Sequence, residues 1–329
     1  MPETVQSTAT RATHTALKKS ALWLPDSTKL LSAVSLSEIA DLADFNVALL
    51  VLDSCRYDSL AKSETPLLDR LGIRPALTHG SYTLPSHTAF FSGYLPRATG
   101  DGTPFYDDAR KQLIRLGGGR SRERNRYGFL LHAATVPRGF AAAGYRVRGF
   151  GGVPLCAHDS FQRFFPDGSF HWFGGSSEQI WQPRPASVFA LNHIDQIVSS
   201  VHDSRYFLYL NCHETHAPYD WGDGEQSPTI THLIHECAPL WGCKAPPGLG
   251  RCPSDYPIGD LHKLRQAQIN AASVVDRRLQ RLVEALPKPL ILVVCADHGE
   301  AFGELELFGH GLAIPPVLQV PLSISGILA

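Results

Sequence analysis

The sequence lacks an excess of charge of either sign, and it lacks any apolar run long enough to cross a membrane. Its 329 residues carry 30 Lys and Arg against 31 Asp and Glu, which gives a formal net charge of -1. A balance so close to zero gives no argument for attraction to nucleic acid or to a membrane surface. The N-terminus carries basic residues but has no apolar run of the kind that marks a secretory signal. A cytoplasmic location, with no nucleic-acid partner and no membrane span, is therefore the default expectation.

The cysteine content argues against a disulfide framework. There are seven cysteines, an odd number, and four of them lie in or beside predicted core segments, which fits a reducing compartment. The other three are Cys237, Cys243 and Cys252, and they share a Pro- and Gly-rich stretch with two histidines, His232 and His235. A structural zinc site would need such ligands, but the tight C-x2-C pair is missing, so loose or packed thiols are the favoured interpretation.

Strand and helix patterns alternate along the chain, and no internal repeat is present. Segments at 45–52, 205–210 and 290–296 that are apolar at nearly every position are typical of strands buried on both faces of a parallel sheet. Helical patterns lie between them, among them a stretch at 57–71 and an amphipathic helix at 187–200, and the segment 317–326 is predicted to form a final edge strand. We therefore predict an α/β fold with a doubly wound, mainly parallel central sheet and helices on both faces.

Metal-ligand residue types directly follow two of these strands. Asp53 closes the first strand, and Asp297 with His298 closes the last, followed by Gly299, which permits a sharp turn. Open α/β sheets place their ligands at the carboxyl ends of strands, so these side chains can converge. Each motif alone also fits a helix N-cap or a strand-end turn, and the joint occurrence favours a metal site. Oxygen and nitrogen ligands together suit Zn²⁺ or Mn²⁺ better than Ca²⁺.

Hydroxyl and imidazole groups provide further candidates. Thr83 and Ser86 precede a predicted helix start, where the helix N-terminus favours anions, although ordinary N-capping explains such residues equally well. His213 and His216 follow another strand and could bind a second metal or donate to a substrate oxyanion, or one could be structural. His310 lies between two glycines, which permit close approach to a ligand.

These segments resemble the sulfatase and phosphoethanolamine-transferase branch of the alkaline phosphatase superfamily. The motifs that carry the resemblance, in the family's order, are Asp53, Thr83-Leu84-Pro85-Ser86-His87, His216-Ala217-Pro218-Tyr219 and Ala296-Asp297-His298-Gly299-Glu300. The Asp-His-Gly-Glu segment with the later His310 is the most specific part and resembles the lipid-modifying phosphotransferases. The resemblance makes 45–329 a single catalytic domain with a Pro-, Gly- and Cys-rich insertion at about 221–260, preceded by a tail and helix at 1–44.

The resemblance implies roles for individual residues and a divalent metal cofactor, Zn²⁺ or Mn²⁺, with Mg²⁺ or Ca²⁺ as alternatives. Thr83 would be both metal ligand and nucleophile and would form a covalent phospho-enzyme, while His216 or His310 would assist the leaving oxygen. The implied sets are metal ligands Asp53, Thr83, Asp297, His298 and His310; catalytic residues Thr83, His87 and His216; and substrate-binding residues Ser86, His213 and His310.

The departures from the family pattern favour phosphoryl chemistry. Sulfatases carry at the position of Thr83 a Cys or Ser that is converted to formylglycine, and threonine cannot follow that route. Ser54 replaces a second acidic residue, which suggests one main metal, and His87 falls where sulfatases carry an arginine. We expect hydrolysis or transfer of a small soluble phosphate ester, either a phosphomonoester or a phosphodiester. The alternatives are a sulfatase-like hydrolase that uses unmodified Thr83 and an inactive ligand-binding member of the fold.

Overall fold

The computed structural model describes residues 45–92, 135–157, 159–173, 188–219, 249–251, 258–311 and 313–328. All of them belong to one compact unit, Asp44–Ala329. The predicted tail and helix at 1–44, the thiol cluster at Cys237, Cys243 and Cys252, and most of the predicted insertion at 221–260 lie outside the described residues. The division into domains stays a prediction.

Seven strands form the central sheet. They are β1 (Asn46–Leu52), β2 (Arg74–Leu77), β3 (Arg146–Gly151), β4 (Phe170–Trp172), β5 (Tyr206–Cys212), β7 (Leu290–Ala296) and β10 (Gln319–Ile327). Their order in the sheet is β2-β10-β7-β1-β5-β3-β4. The neighbours from β7 to β4 are all parallel, and β10 is antiparallel to both β7 and β2. The predicted mainly parallel α/β sheet is therefore confirmed.

The remaining described elements are eight α-helices, four short 3-10 helices and a small second sheet. The helices are α1 (Tyr57–Leu60), α2 (Pro66–Arg70), α3 (Thr83–Ser92), α4 (Val136–Ala142), α5 (Asp159–Gln162), α6 (Ile194–Ser199), α7 (Ile258–Ala285) and α8 (Pro315–Leu318). The second sheet contains β6 (Leu249–Arg251), β8 (Ala301–Phe302) and β9 (Leu307–Gly309), which are antiparallel in the order β6-β9-β8. Within the ranges that the structure describes, no helix has the length and apolar character that a bilayer span requires.

Alternate residues of β1 enter two separate cores, as the pleat of a strand requires. Leu50 packs in a cluster with Leu279 of α7 on one face of the sheet. Val51 packs in a second cluster with Phe91 of α3 and Phe161 of α5 on the other face. Both faces of the central strand are thus covered by helices, which explains why β1 is apolar at nearly every position.

One strand prediction is wrong in its placement. The segment predicted as a final edge strand forms β10, but β10 lies inside the sheet because β2 pairs with its outer side. The strand β2 has only four residues, and its first two are exposed. So short and half-exposed a strand produces no apolar run in the sequence.

The helix boundaries also differ from the sequence prediction. The stretch predicted as helical at 57–71 forms two short helices, the second beginning at Pro66, and the described part of the stretch 187–200, from residue 188, contains a 3-10 turn and α6. Helix α3 begins at Thr83, two residues ahead of Pro85, because proline is tolerated within a first helical turn. Thr83 is therefore the first residue of the helix.

Helix α2 has no side-chain cap of its own, and Asp276 of α7 supplies one from a distance. Its carboxylate accepts from the backbone N–H groups of Leu67 at 3.1 Å and Leu68 at 2.9 Å. We expect Asp276→Ala to lower the free energy of unfolding by about 1–2 kcal/mol, because both donors would lose their partner. Urea denaturation measures this loss. The neighbouring change Ser273→Ala removes the acceptor of the Glu64 N–H and a long bond, 3.4 Å, to the carbonyl of Ile269 within the same helix. It is the control, and an equal loss in both variants would contradict the capping role.

Candidate active site

The site lies where three adjacent central strands end. Leu52, the last residue of β1, is opposite Ala296 of β7 and Cys212 of β5. The residues that follow each strand therefore lie at one level of the sheet, at its carboxyl edge. This register brings Asp53 and Asp297 together although they are separated by more than two hundred residues in the sequence.

Asp53, Asp297 and His298 form a compact cluster of potential metal ligands. One ligand atom from each residue lies within 4.8 Å of the others. The Nε2 atom of His298 is 3.8 Å from Oδ1 of Asp53 and 3.7 Å from Oδ2 of Asp297. All three side chains are fully buried. The predicted first ligands of the metal are thus brought together.

Hydrogen bonds occupy one oxygen of each carboxylate and leave the other without a partner. Oδ1 of Asp297 accepts from the backbone N–H groups of Ser54 at 3.2 Å and His298 at 2.9 Å, and Oδ2 of Asp53 accepts from Asn211 at 3.0 Å. Oδ1 of Asp53 and Oδ2 of Asp297 are buried without a hydrogen-bond partner. Because unpaired buried carboxylate oxygens are costly, this arrangement fits a bound cation.

The protonation state of His298 also suits the binding of a cation. Its Nδ1 donates to the carbonyl of Gly299 at 2.9 Å, so the lone pair of Nε2 faces the two aspartates. Burial lowers the pKa of His298 well below its usual value, with the nearby His310 acting in the same direction, so the imidazole is neutral. Burial and the charge of Asp53 raise the pKa of Asp297. The donor set of two carboxylates and one neutral imidazole fits Zn²⁺ or Mn²⁺.

Gly299 is required by the turn that follows His298. A Cβ atom on this residue would lie 2.1 Å from the carbonyl oxygen of Pro316, and its N–H donates to Val317 at 2.7 Å. No side chain fits in this space. The glycine noted in the sequence therefore holds the ligand-bearing turn against α8.

Thr83 lies beside the cluster. Its hydroxyl donates to Nε2 of His298 at 3.4 Å, and the side chain is half-buried. As the first residue of the ten-residue helix α3, it stands at the end of the helix dipole that favours anions. The structure therefore places the predicted nucleophile next to the predicted ligands.

Ser86 and His87 lie one turn further along α3 and face the protein interior. The hydroxyl of Ser86 donates to the carbonyl of Tyr82 at 3.1 Å. Both side chains are fully buried, and burial lowers the pKa of His87 to about 4. The substrate-binding role of Ser86 and the catalytic role of His87 stay predictions.

The other predicted histidines extend from the cluster as a row of imidazoles. Ring centroids are 4.3 Å apart for His298 and His310, 5.6 Å for His310 and His216, and 5.3 Å for His216 and His213. His213 and His216 are both buried. His310 is held by flanking glycines that both adopt positive φ, 94° at Gly309 and 111° at Gly311, a conformation that glycine adopts without strain.

Glu300 is a site residue to which the sequence analysis assigned no role. This fully buried carboxylate accepts from Nδ1 of His310 at 2.9 Å through Oε1, while Oε2 has no partner. Burial lowers the pKa of His310, but the charge and hydrogen bond of Glu300 outweigh that effect, so the pKa is raised. Its position within the Asp-His-Gly-Glu motif was the available signal. Asn211, near the end of β5, and Tyr209, in the middle of the same strand, were also missed, because a polar residue in or beside an apolar strand does not by itself indicate a site.

Arg56 ties the two sides of the site together. Its guanidinium pairs with Asp58 at 2.7 Å and with Glu304 at 2.5 Å, and it donates to the carbonyl of Glu300 at 3.1 Å. The side chain is almost fully buried. It therefore fixes the segment that carries Glu300 to the loop that follows Asp53.

Comparison with known proteins agrees with this architecture. The family described as Sulfatase matches residues 46–324. Similar solved structures include the phosphonate monoester hydrolase of Agrobacterium radiobacter, with a TM-score of 0.57, 15% identity and coverage of 85% of this chain and 68% of that chain. The soluble domain of lipooligosaccharide phosphoethanolamine transferase A from Neisseria meningitidis has a TM-score of 0.52, 16% identity and coverage of 85% and 76%.

A third similar structure is the C-terminal periplasmic domain of EcEptC from Escherichia coli in complex with Zn, with a TM-score of 0.53, 12% identity and coverage of 87% and 75%. At these identities the likeness shows the fold. No curated protein sequence matches the chain.

Proposed function

The chain belongs to the sulfatase family, and we propose that it is a metal-dependent enzyme that hydrolyses or transfers a phosphate ester through Thr83. One observation carries this proposal: the hydroxyl of Thr83, at the N-terminus of α3, lies 3.4 Å from Nε2 of His298, which belongs to a buried cluster with two unpaired carboxylate oxygens. A nucleophile, a cation site and an anion-favouring helix end thus share one location.

Asp53, Asp297 and His298, together with Thr83, are the residues that would hold the metal. A bound divalent cation supplies Lewis acidity, which favours the alkoxide form of the threonine and neutralises the charge of the ester. The donor set supports Zn²⁺ or Mn²⁺, and the structural relative solved with Zn supports the same choice.

The chemical steps follow from the protein's own groups. The alkoxide oxygen of Thr83, its proton already lost to solvent, forms a bond to phosphorus while the bond from phosphorus to the leaving oxygen breaks. His310, which is oriented by Glu300, gives its proton to that oxygen. The ring of His216 lies beside the ring of His310. In the second step His310 accepts a proton from water or an acceptor alcohol, whose oxygen attacks phosphorus and releases Thr83. The phosphoryl group has then moved from the leaving alcohol to the acceptor.

Threonine at this position supports phosphate rather than sulfate as the transferred group. The methyl group on its Cβ prevents conversion to the aldehyde that sulfatases use. Unmodified Thr83 must therefore act through its own oxygen, and a covalent phosphothreonine is the expected intermediate. The substrate we propose is a small soluble phosphomonoester or phosphodiester.

The proposal is tested with the purified full-length protein loaded with Zn²⁺ or Mn²⁺. An aryl phosphate, a bis-aryl phosphate and an aryl sulfate are compared as substrates, and the quenched enzyme is digested and analysed by mass spectrometry. We expect metal-dependent turnover of a phosphate ester and a phosphoryl group on Thr83. Turnover of the sulfate alone would support the sulfatase-like alternative, and no metal binding with no turnover would support a ligand-binding protein.

The role of Glu300 gives a separate prediction. Glu300→Gln should lower kcat by about 10- to 100-fold with little change in KM, because loss of the carboxylate weakens the orientation of His310 without removing a substrate contact. Steady-state kinetics with the best aryl phosphate measures this effect. Glu284→Gln, a change on the exposed side of α7, is the control. Unchanged kcat in the Glu300 variant would contradict the assignment.

A further inference from the structure

We propose that His87 and Tyr209 form a positioning pair that fixes the main chain at Thr83 and so directs its hydroxyl at the metal cluster. This inference rests on the proposed function, because the pair would hold the proposed nucleophile in place. Neither residue needs to touch the substrate for this role.

The hydrogen bonds define the state of the imidazole. Nδ1 of His87 is 2.7 Å from the carbonyl oxygen of Thr83, which can only accept, so Nδ1 carries the hydrogen. Nε2 then has a lone pair and accepts from the hydroxyl of Tyr209 at 2.6 Å. Because both ring nitrogens are engaged at opposite ends, the imidazole is held in one orientation and one tautomer.

The pair connects the nucleophile to a central strand of the sheet. Tyr209 belongs to β5, which pairs with β1 and β3 on its two sides. Tyr209 and Asn211 are two residues apart, so their side chains leave the same face of the strand. Asn211 holds Asp53 through the bond at 3.0 Å. One face of β5 thus supports both the proposed nucleophile and a proposed metal ligand.

Packing alone does not account for these polar groups. His87 is surrounded by the rings of Phe90, Phe91 and Phe161, with centroids 5.4–5.8 Å away, and both His87 and Tyr209 are fully buried. An apolar pair of similar size would fill such a place without the cost of burying polar atoms. His87 also lies at the edge of the ligand cluster, with Nδ1 3.7 Å from Oδ2 of Asp297. The polar pair is therefore placed where it can act on the site.

Tyr209→Phe is the central test because it removes a single oxygen from the interior. We expect kcat to fall about 10-fold, with KM and the dissociation constant for Zn²⁺ unchanged within a factor of two. The matched control is Tyr206→Phe on the same strand, whose hydroxyl donates to the carbonyl of Pro287 at 3.0 Å near the opposite end of β5. This control should change stability by a similar amount while kcat stays at the wild-type value.

Two variants of His87 test whether a hydrogen-bond donor to the carbonyl of Thr83 is required. The amide nitrogen of His87→Asn can replace Nδ1 and donate to the carbonyl of Thr83, whereas His87→Leu cannot donate. We expect the leucine variant to lose about 100-fold in kcat and the asparagine variant to recover about 10-fold of that loss. If His87 had only a structural role, the two variants would have the same kcat whenever their thermal stabilities were equal. If the leucine variant does not fold, the Tyr209→Phe result decides.

The outcomes separate this inference from the proposed function. If wild-type enzyme forms phospho-Thr83 but Tyr209→Phe keeps wild-type kcat, the positioning role is overturned and the proposed function stands. If wild-type enzyme forms no phospho-Thr83, the proposed function is overturned, and the inference falls with it.

Discussion

Replacing Thr83 by alanine is expected to lower kcat by about 10³-fold or more while the protein stays folded. The side chain is half-buried at the start of α3, and its hydroxyl makes one long contact, at 3.4 Å, with His298. Its removal therefore costs little packing but removes the oxygen that would bond to phosphorus. Steady-state turnover of an aryl phosphate by the metal-loaded protein measures the loss.

The control for this variant lies on the same helix. Thr88→Ala removes a hydroxyl that donates to the carbonyl of Leu84 at 2.8 Å, so it should reproduce any loss of helix stability and keep turnover. Thr83→Ser, which retains a hydroxyl, should recover part of the activity. Near-wild-type turnover by Thr83→Ala would remove Thr83 from the mechanism.

Asp297→Asn is expected to weaken metal binding by about 100-fold or more, since changes to residues that only orient a ligand already cost 10- to 100-fold. The amide can still accept from the N–H groups of Ser54 and His298, so the turn should keep its shape. Calorimetric titration with Zn²⁺ measures the affinity. Asp167→Asn, at a fully exposed carboxylate, is the control.

In the absence of metal, the same variant should be more stable than the wild-type protein. In the metal-free protein Asp53 and Asp297 are two buried carboxyl groups of one cluster, and each has an oxygen without a hydrogen-bond partner. Neutralising one of them removes a repulsion, so metal-free Asp297→Asn should melt at a higher temperature than metal-free wild type. Differential scanning calorimetry with a chelator tests this. An unchanged Zn²⁺ affinity, or a lower melting temperature without metal, would count against the cluster as a cation site.

The sequence predicts those parts of the fold in which local pattern and tertiary environment agree. The strand at 290–296 coincides with β7 because residues buried on both faces must be apolar at almost every position. The strand β2 is supported by its pairing with β10 rather than by its own composition, so it has no local signal. Similarly, His193 stands at the N-cap of α6 with φ of -116°, and this interrupts the long helix that the pattern of apolar residues predicts.

The candidate site likewise contains residues that the sequence predicts and residues that it does not. Asp53, Asp297 and His298 could be predicted because each directly follows a strong strand and parallel strands end at one edge of a sheet. Glu300 and Tyr209 could not be assigned roles, because the roles proposed for them depend on contacts with His310, 10 residues away along the chain, and His87, 122 residues away. Such contacts are set by the path of the backbone, which a single sequence does not reveal.

Ser54 shows how the structure adds meaning to a departure noted in the sequence. The residue adopts a left-handed conformation with φ of 59°, which is uncommon for a residue with a side chain. This conformation accompanies the donation of its N–H to Asp297. The position beside Asp53 therefore contributes a backbone donor to the opposite strand end, and its side chain supplies no carboxylate.

The placement of β1 between β5 and β7 has a consequence for protein synthesis. Of these three strands β1 is synthesised first, and it can pair on both sides only after β5 and β7 have followed. The strand β7 begins only at Leu290. A nascent chain that ends before Asp297 lacks half of the carboxylates that would bind the cation. The proposed metal site can therefore be completed only after β7 and Asp297 have been synthesised, and the central pairing closes a long stretch of polypeptide, which is typical of slow folding.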